Sequence, residues 1–160
     1  MTPRSVTEHE QLVRDYVELW TGDLSKMDVV AESVTGYDPA HPDGEVHGRD
    51  EFEEFIRHTH AAFPDFTLRK DTEGMLATDD TVMLEWTAEG THRGDFYGVP
   101  PTGRKMSIDG MAKTTIVDRN IEEDRIYFDQ KEMLDQFGFT FPDVVFLAPK
   151  LVAEKIRGAV

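Results

Sequence analysis

The 160-residue chain contains no cysteine, which removes disulfides, thiolate metal sites and cysteine nucleophiles together. Basic residues are scarce: 17 Lys and Arg stand against 32 Asp and Glu, a formal net charge of -15. A surface of that sign repels phosphate backbones and anionic membranes over a Debye length, so neither nucleic acid nor a membrane is an expected partner. Long hydrophobic runs are missing too. No uncharged apolar stretch approaches the roughly 20 residues that span a bilayer, and the N-terminal MTPRSVTEHEQ has no apolar segment of the kind a signal peptide needs. A cytoplasmic location is expected. No Walker loop or strand-following GxGxxG is present. His58 and His60 lie two apart on a helix and point to different faces, while His41 and His47 sit in or beside a loop without paired ligands. Neither a metal nor another cofactor is expected. The acidic excess fits ordinary solubility or a high-salt, halophilic habitat, and both readings concern the solvent rather than the reaction.

What is present suffices for one domain spanning residues 1–160, with 39% apolar residues and 10% aromatics. Thr7 and Glu10 have capping-box spacing, and Leu12, Val13, Tyr16, Val17 and Trp20 recur at helical intervals before Gly22. Asp23 or Ser25 can cap a second, shorter helix to about Val30, after which residues 35–44 are dense in turn formers. Asp50 and Glu51 favour a helix start, and Phe52, Phe55, Ile56, Thr59 and Phe63 form one stripe ended by Pro64. The period then changes to alternation over 66–77, 81–92, 106–117 and 121–131, four strands in antiparallel order. A short helix over 133–137 and a C-terminal helical extension from about 139 follow. The fold class is α+β: an antiparallel sheet with the helices on one face.

The central stretch is Trp86 to Arg104, WTAEGTHRGDFYGVPPTGR, a strand end followed by a long loop. Val82, Leu84, Trp86 and Ala88 alternate with polar partners, and His92 falls on their parity. GTHRGDFYGVPPTGR resembles the signature of the SnoaL-like polyketide cyclases, or ester cyclases, a branch of the nuclear transport factor 2-like superfamily. IEEDRIYFD with the following MLDQFG at 121–138 is similar to that family's last strand and turn. The resemblance implies a curved sheet closing over the N-terminal helices as a cone with a cavity, commonly dimerising through an exposed sheet face. It also implies cofactor-independent aldol cyclisation or isomerisation of a small apolar molecule, with Asp129 as acid/base. Two positions depart from the family pattern: Arg125 stands where an aromatic is usual, and Tyr37-Asp38-Pro39 replaces His-Asn-Pro.

Such chemistry removes a proton alpha to a carbonyl and reprotonates the product, which one carboxyl in an apolar cavity can do in turn. Asp129 is the expected base, with Tyr127 and Arg125 on its strand parity, and Asp109 in the neighbouring strand is a second carboxyl that would split the acid and base roles. His92 either polarises a carbonyl or orients Asp129, or is a satisfied structural histidine. Tyr37 stands in for a cavity-lining histidine, and Trp86 is at once core and cavity wall. The alternative is a binding or dimerisation module that keeps the cone but not the reaction, a reading that Arg125 favours.

Overall fold

The computed structural model describes residues 3–139, with side chains throughout that span except at 3–8 and 71–74. The elements run α1 (Pro3–Trp20), a 3-10 helix (Leu24–Val29), β1 (Val30–Tyr37), β2 (Glu45–His47), α2 (Arg49–Ala62), β3 (Thr67–Ala77), β4 (Thr81–Thr91), β5 (Lys105–Val117), β6 (Asn120–Phe128) and α3 (Gln130–Phe137). The six strands form one curved, unclosed sheet in the order β2-β1-β6-β5-β4-β3. The four strands read from alternation are β3 to β6. The fold is the expected α+β cone with one correction: β1 pairs β6 in parallel, so the sheet is mixed. No helix among the described residues is long and apolar enough to cross a membrane. The C-terminal extension lies outside the described residues.

Local chemistry explains the helix ends. Asp23 accepts from Ser25 N at the start of the 3-10 helix. Asp50 and Glu51 occupy the first turn of α2, where carboxylates complement the helix dipole. Gly138 closes α3 at φ 88, the left-handed cap that favours glycine. In contrast, α1 begins at Pro3, a turn ahead of the Thr7–Glu10 pair.

The apolar faces of α1 and α2 meet the sheet from inside. Trp20 packs edge to face with Tyr16, Phe52 and Phe55, and Tyr16 lies tilted against Phe52, while Val82, Leu84, Trp86 and Ala88 of β4 point inward as their alternation requires. Two strands escape the sequence pattern. β1 carries Glu32 and Ser33 exposed and shifts register between Val30 and Thr35, so it never alternates cleanly, and β2 is only three residues long.

Candidate active site

Between the helices and the sheet lies a cavity of about 100 Å³. Its wall is largely aromatic and aliphatic: Trp20, Phe55, Phe63 and Phe66 from the helical side, Trp86, Ile108, Ile126 and Phe128 from the sheet. Among the described residues, the side chains in it that titrate are Tyr16 and Asp38.

Asp38 arrives there by strand parity. Val34 and Gly36 of β1 face inward, and Asp38, one residue past the strand end, continues that face. It is 8% exposed. Its backbone closes a tight turn: Asp38 N donates to Gly44 O, and Asp38 O accepts from His41 N. One carboxylate oxygen accepts from Ala40 N at 2.8 Å. Burial in the apolar wall outweighs that bond and, with the nearby charge of Asp124, pushes the carboxyl up to about 7.

Behind the wall, Asp124 is 1% exposed. The Tyr16 phenol donates to its Oδ2 at 2.6 Å and the Thr114 hydroxyl to its Oδ1 at 2.8 Å. Burial raises Asp124 to about 6 against the opposing effect of those two donors. Burial and the Asp124 charge also hold the Tyr16 phenol well above its ordinary range.

The β6 residues named from the sequence lie elsewhere. In the β5–β6 pairing Thr115 opposes Glu123 and Ile116 opposes Ile121, so Glu122 is an extra, bulged residue. A bulge reverses which parity faces the core. Ile121 is buried, but after the bulge Asp124, Ile126 and Phe128 turn inward, while Arg125 and Tyr127 turn outward. Tyr127 is 57% exposed. Arg125 pairs with Glu123 at 2.7 Å and stacks over the outward ring of Tyr37, 3.9 Å from its centroid; it makes no ion pair with Asp129. Asp129 lies beyond the strand as the N-cap of α3, exposed, its carboxylate accepting from Lys131 N and Glu132 N. Asp109 is on the outer face, where Thr87 donates to it at 2.7 Å.

Trp86 is in the cavity wall as expected, its ring lying against Gly110 on the facing strand. Its Nε1–H is buried with no acceptor among the described residues. His92 is fully buried at the end of β4, where its ring forms a three-ring cluster with Phe63 and Phe137, outside the cavity lining. Thr102 N donates to its Nδ1, which leaves the proton on Nε2, and the backbone of Gly94 and Val99 favours the charged form without offsetting burial. Desolvation lowers its pKa and keeps the ring neutral.

The family model for SnoaL-like polyketide cyclases matches residues 10–137. The chain belongs to this family. Among solved structures, this SnoaL-like chain is similar to AclR from Streptomyces galilaeus, titled a candidate hydroxylase, with 27% identity over 97% of this chain and 98% of that one at a TM-score of 0.70. It is also similar to IdmH from Streptomyces antibioticus, a candidate polyketide cyclase, with 28% identity over 81% and 97% at 0.67. A SnoaL-like protein from Jannaschia sp. CCS1 shares the fold at 18% identity, covering 86% and 95% at 0.73. No curated protein matches the chain.

Asp38 in the cavity wall and Asp124 behind it were missed as site residues. Asp38 sits in a turn-rich stretch where Asp is common, and the visible signal was its place beside Pro39 in the family's loop. Asp124 alternates with Ile126 and Phe128, an apolar parity that marks the inward face of the strand's second half.

Proposed function

We propose that this SnoaL-like protein is a cofactor-independent acid/base enzyme acting on a compact, uncharged carbonyl compound, with Asp38 as the proton-transferring carboxyl. The observation that carries this reading is the position of Asp38: a buried carboxyl in an otherwise apolar cavity wall, with one backbone donor. A carboxyl desolvated to near neutrality changes protonation state readily at physiological pH, as a general base that becomes the acid of the next step must. The ionised form takes a proton alpha to the carbonyl, giving an enolate. The protonated form returns it to another carbon in an isomerisation, or to the alkoxide formed when the enolate attacks a second carbonyl of the same molecule.

The wall selects the ligand. No Lys, Arg or His lines the cavity among the described residues, so a carboxylate or phosphate ligand would enter without a counter-charge, at high desolvation cost. Thr59 is committed to Phe55 O, which leaves the Tyr16 hydroxyl as the O–H of the lining that can turn to a carbonyl oxygen. The cavity volume is below the roughly 150 Å³ that holds benzene in an engineered core, so a substrate of even one ring enters only as side chains of the wall give way. Asp129 and His92 act on the scaffold in this reading, the first by capping α3 and the second by pinning the signature loop. Arg125, facing outward, no longer speaks for a binding module. The homodimer implied by the family resemblance would use the outer sheet face, where Met111 and Tyr127 are exposed.

The test is a thermal-shift series of monocyclic ketones and enones against their carboxylate analogues. The neutral compounds are expected to raise the melting temperature and the carboxylates to leave it unchanged. Stabilisation by the carboxylates instead would contradict this ligand class.

A further inference from the structure

From the shared environment of the two inward carboxyls we infer that Asp38 and Asp124 form a proton-sharing pair coupled through the phenol of Tyr16, one buried proton serving both the acid and the base step. Both carboxyls are buried, at 8% and 1% exposure. Tyr16 and Asp38 line the same cavity, the Tyr16 phenol donates to Asp124, and Gly36, two residues before Asp38, pairs with Asp124 across β1 and β6. Charged and titratable neighbours offer no neutralisation. Glu123 adjoins Asp124 on its own strand, and Tyr97 of the signature loop is the other group whose titration Asp38 perturbs. Arg125 is turned outward to Glu123 and Tyr37. Two carboxylates placed so, without a cation among the described residues, do not ionise independently: the first charge disfavours the second.

The pair completes the proton inventory. Where the single proton resides on Asp124, Asp38 is ionised and able to take the substrate's alpha proton. The Tyr16 hydroxyl then gives its proton to the carbonyl oxygen and is resupplied from Asp124. The substrate has become an enol, Asp38 is protonated and Asp124 is ionised. Reversal of these transfers, with Asp38 delivering its proton to a different carbon, regenerates the starting state. Tyr16 is then a catalytic residue, whereas Asp124 and Thr114, acting through it, are positioning residues. This use of the pair rests on the assignment of Asp38 above, but the sharing itself is testable without substrate.

The experiment is a carbon-13 NMR titration of aspartate carboxyls in the ligand-free protein, comparing wild type with Asp38→Asn, Asp124→Asn and Tyr16→Phe. Removing the charge of Asp124 should lower the midpoint of Asp38 by about one pH unit, and Asp38→Asn should lower that of Asp124 similarly. Tyr16→Phe, which keeps both carboxyls and the ring packing, should raise the midpoint of Asp124 because a donor to its ionised form is lost. The Tyr16→Phe result stands by itself if Asp124→Asn does not fold. Midpoints that ignore the partner's removal, or both carboxyls ionised below about pH 5, would overturn the pair whether or not the protein proves catalytic. Catalysis abolished by Asp38→Asn, with no such coupling, would sink the pair and leave the assignment of Asp38 standing.

Discussion

Asp38→Asn is expected to stabilise the protein at neutral and alkaline pH while removing its chemistry. The side chain is nearly isosteric, and its amide oxygen still accepts from Ala40 N, the 2.8 Å bond of the native carboxylate. What disappears is the buried charge. With a folded value of about 7 against an ordinary 3.8, the native state binds a proton over this window that the unfolded chain has released. Stability from this group is therefore full below pH 3.8 and is lost as pH rises through 7. A shift of about three pH units corresponds to about 4 kcal/mol. The amide brings an N–H group with no acceptor, costing roughly 1–3 kcal/mol at every pH. The variant should thus be less stable than wild type near pH 4 and more stable near pH 8, by about 1–3 kcal/mol. Urea unfolding of both proteins followed by circular dichroism across pH 4–8 measures the difference, and common titrations elsewhere largely cancel. A difference that stays flat over that range would refute the burial of a charge at Asp38.

Three other substitutions separate scaffold from site. Gly110→Ala places a methyl 2.3 Å from the Trp86 ring and 2.7 Å from Tyr127 O; it should destabilise by about 1–3 kcal/mol and quench or shift Trp86 emission, which fluorescence-monitored unfolding reports. Asp129→Ala removes the cap of α3 and should cost about 1 kcal/mol, with ligand binding and any turnover retained. His92 holds its neutral form through burial, so its stability contribution is present above pH 6.5 and lost as pH falls below it. His92→Phe should flatten that acid limb in melting-temperature profiles, and an unchanged limb would show that other groups cause it.

Apolar periodicity made the frame legible. The stripes of α1 and α2 and the alternation of β4 depend on burying side chains, and burial leaves a regular trace in the sequence. The 86–104 loop and the 121–138 segment then carried the family. The site was harder to read because it depends on departures from regularity. One bulged residue, Glu122, reversed the parity of β6 and sent Arg125 and Tyr127 outward. Asp129, read onto the strand by the alternation over 121–131, lies past the strand end as the N-cap of α3, where a carboxylate is equally suited to cap a helix. Asp38 sits beyond a strand too irregular to announce itself, and its approach to Asp124 and Tyr16 depends on a parallel β1–β6 pairing between segments far apart in the chain. Trp86 was found because it belongs to the regular part, a clean strand whose inner face is also the cavity wall.

The central claim is that Asp38 transfers the proton, and the most direct measurement is alpha-deuterium exchange into a monocyclic enone such as cyclohex-2-enone, followed by proton NMR in deuterium oxide. Wild-type exchange should rise with pH through a midpoint near 7, fall at least about 100-fold in Asp38→Asn, and persist in Asp129→Ala. Exchange that survives in Asp38→Asn but vanishes in Asp129→Ala would contradict the assignment and return the acid/base role to the end of β6.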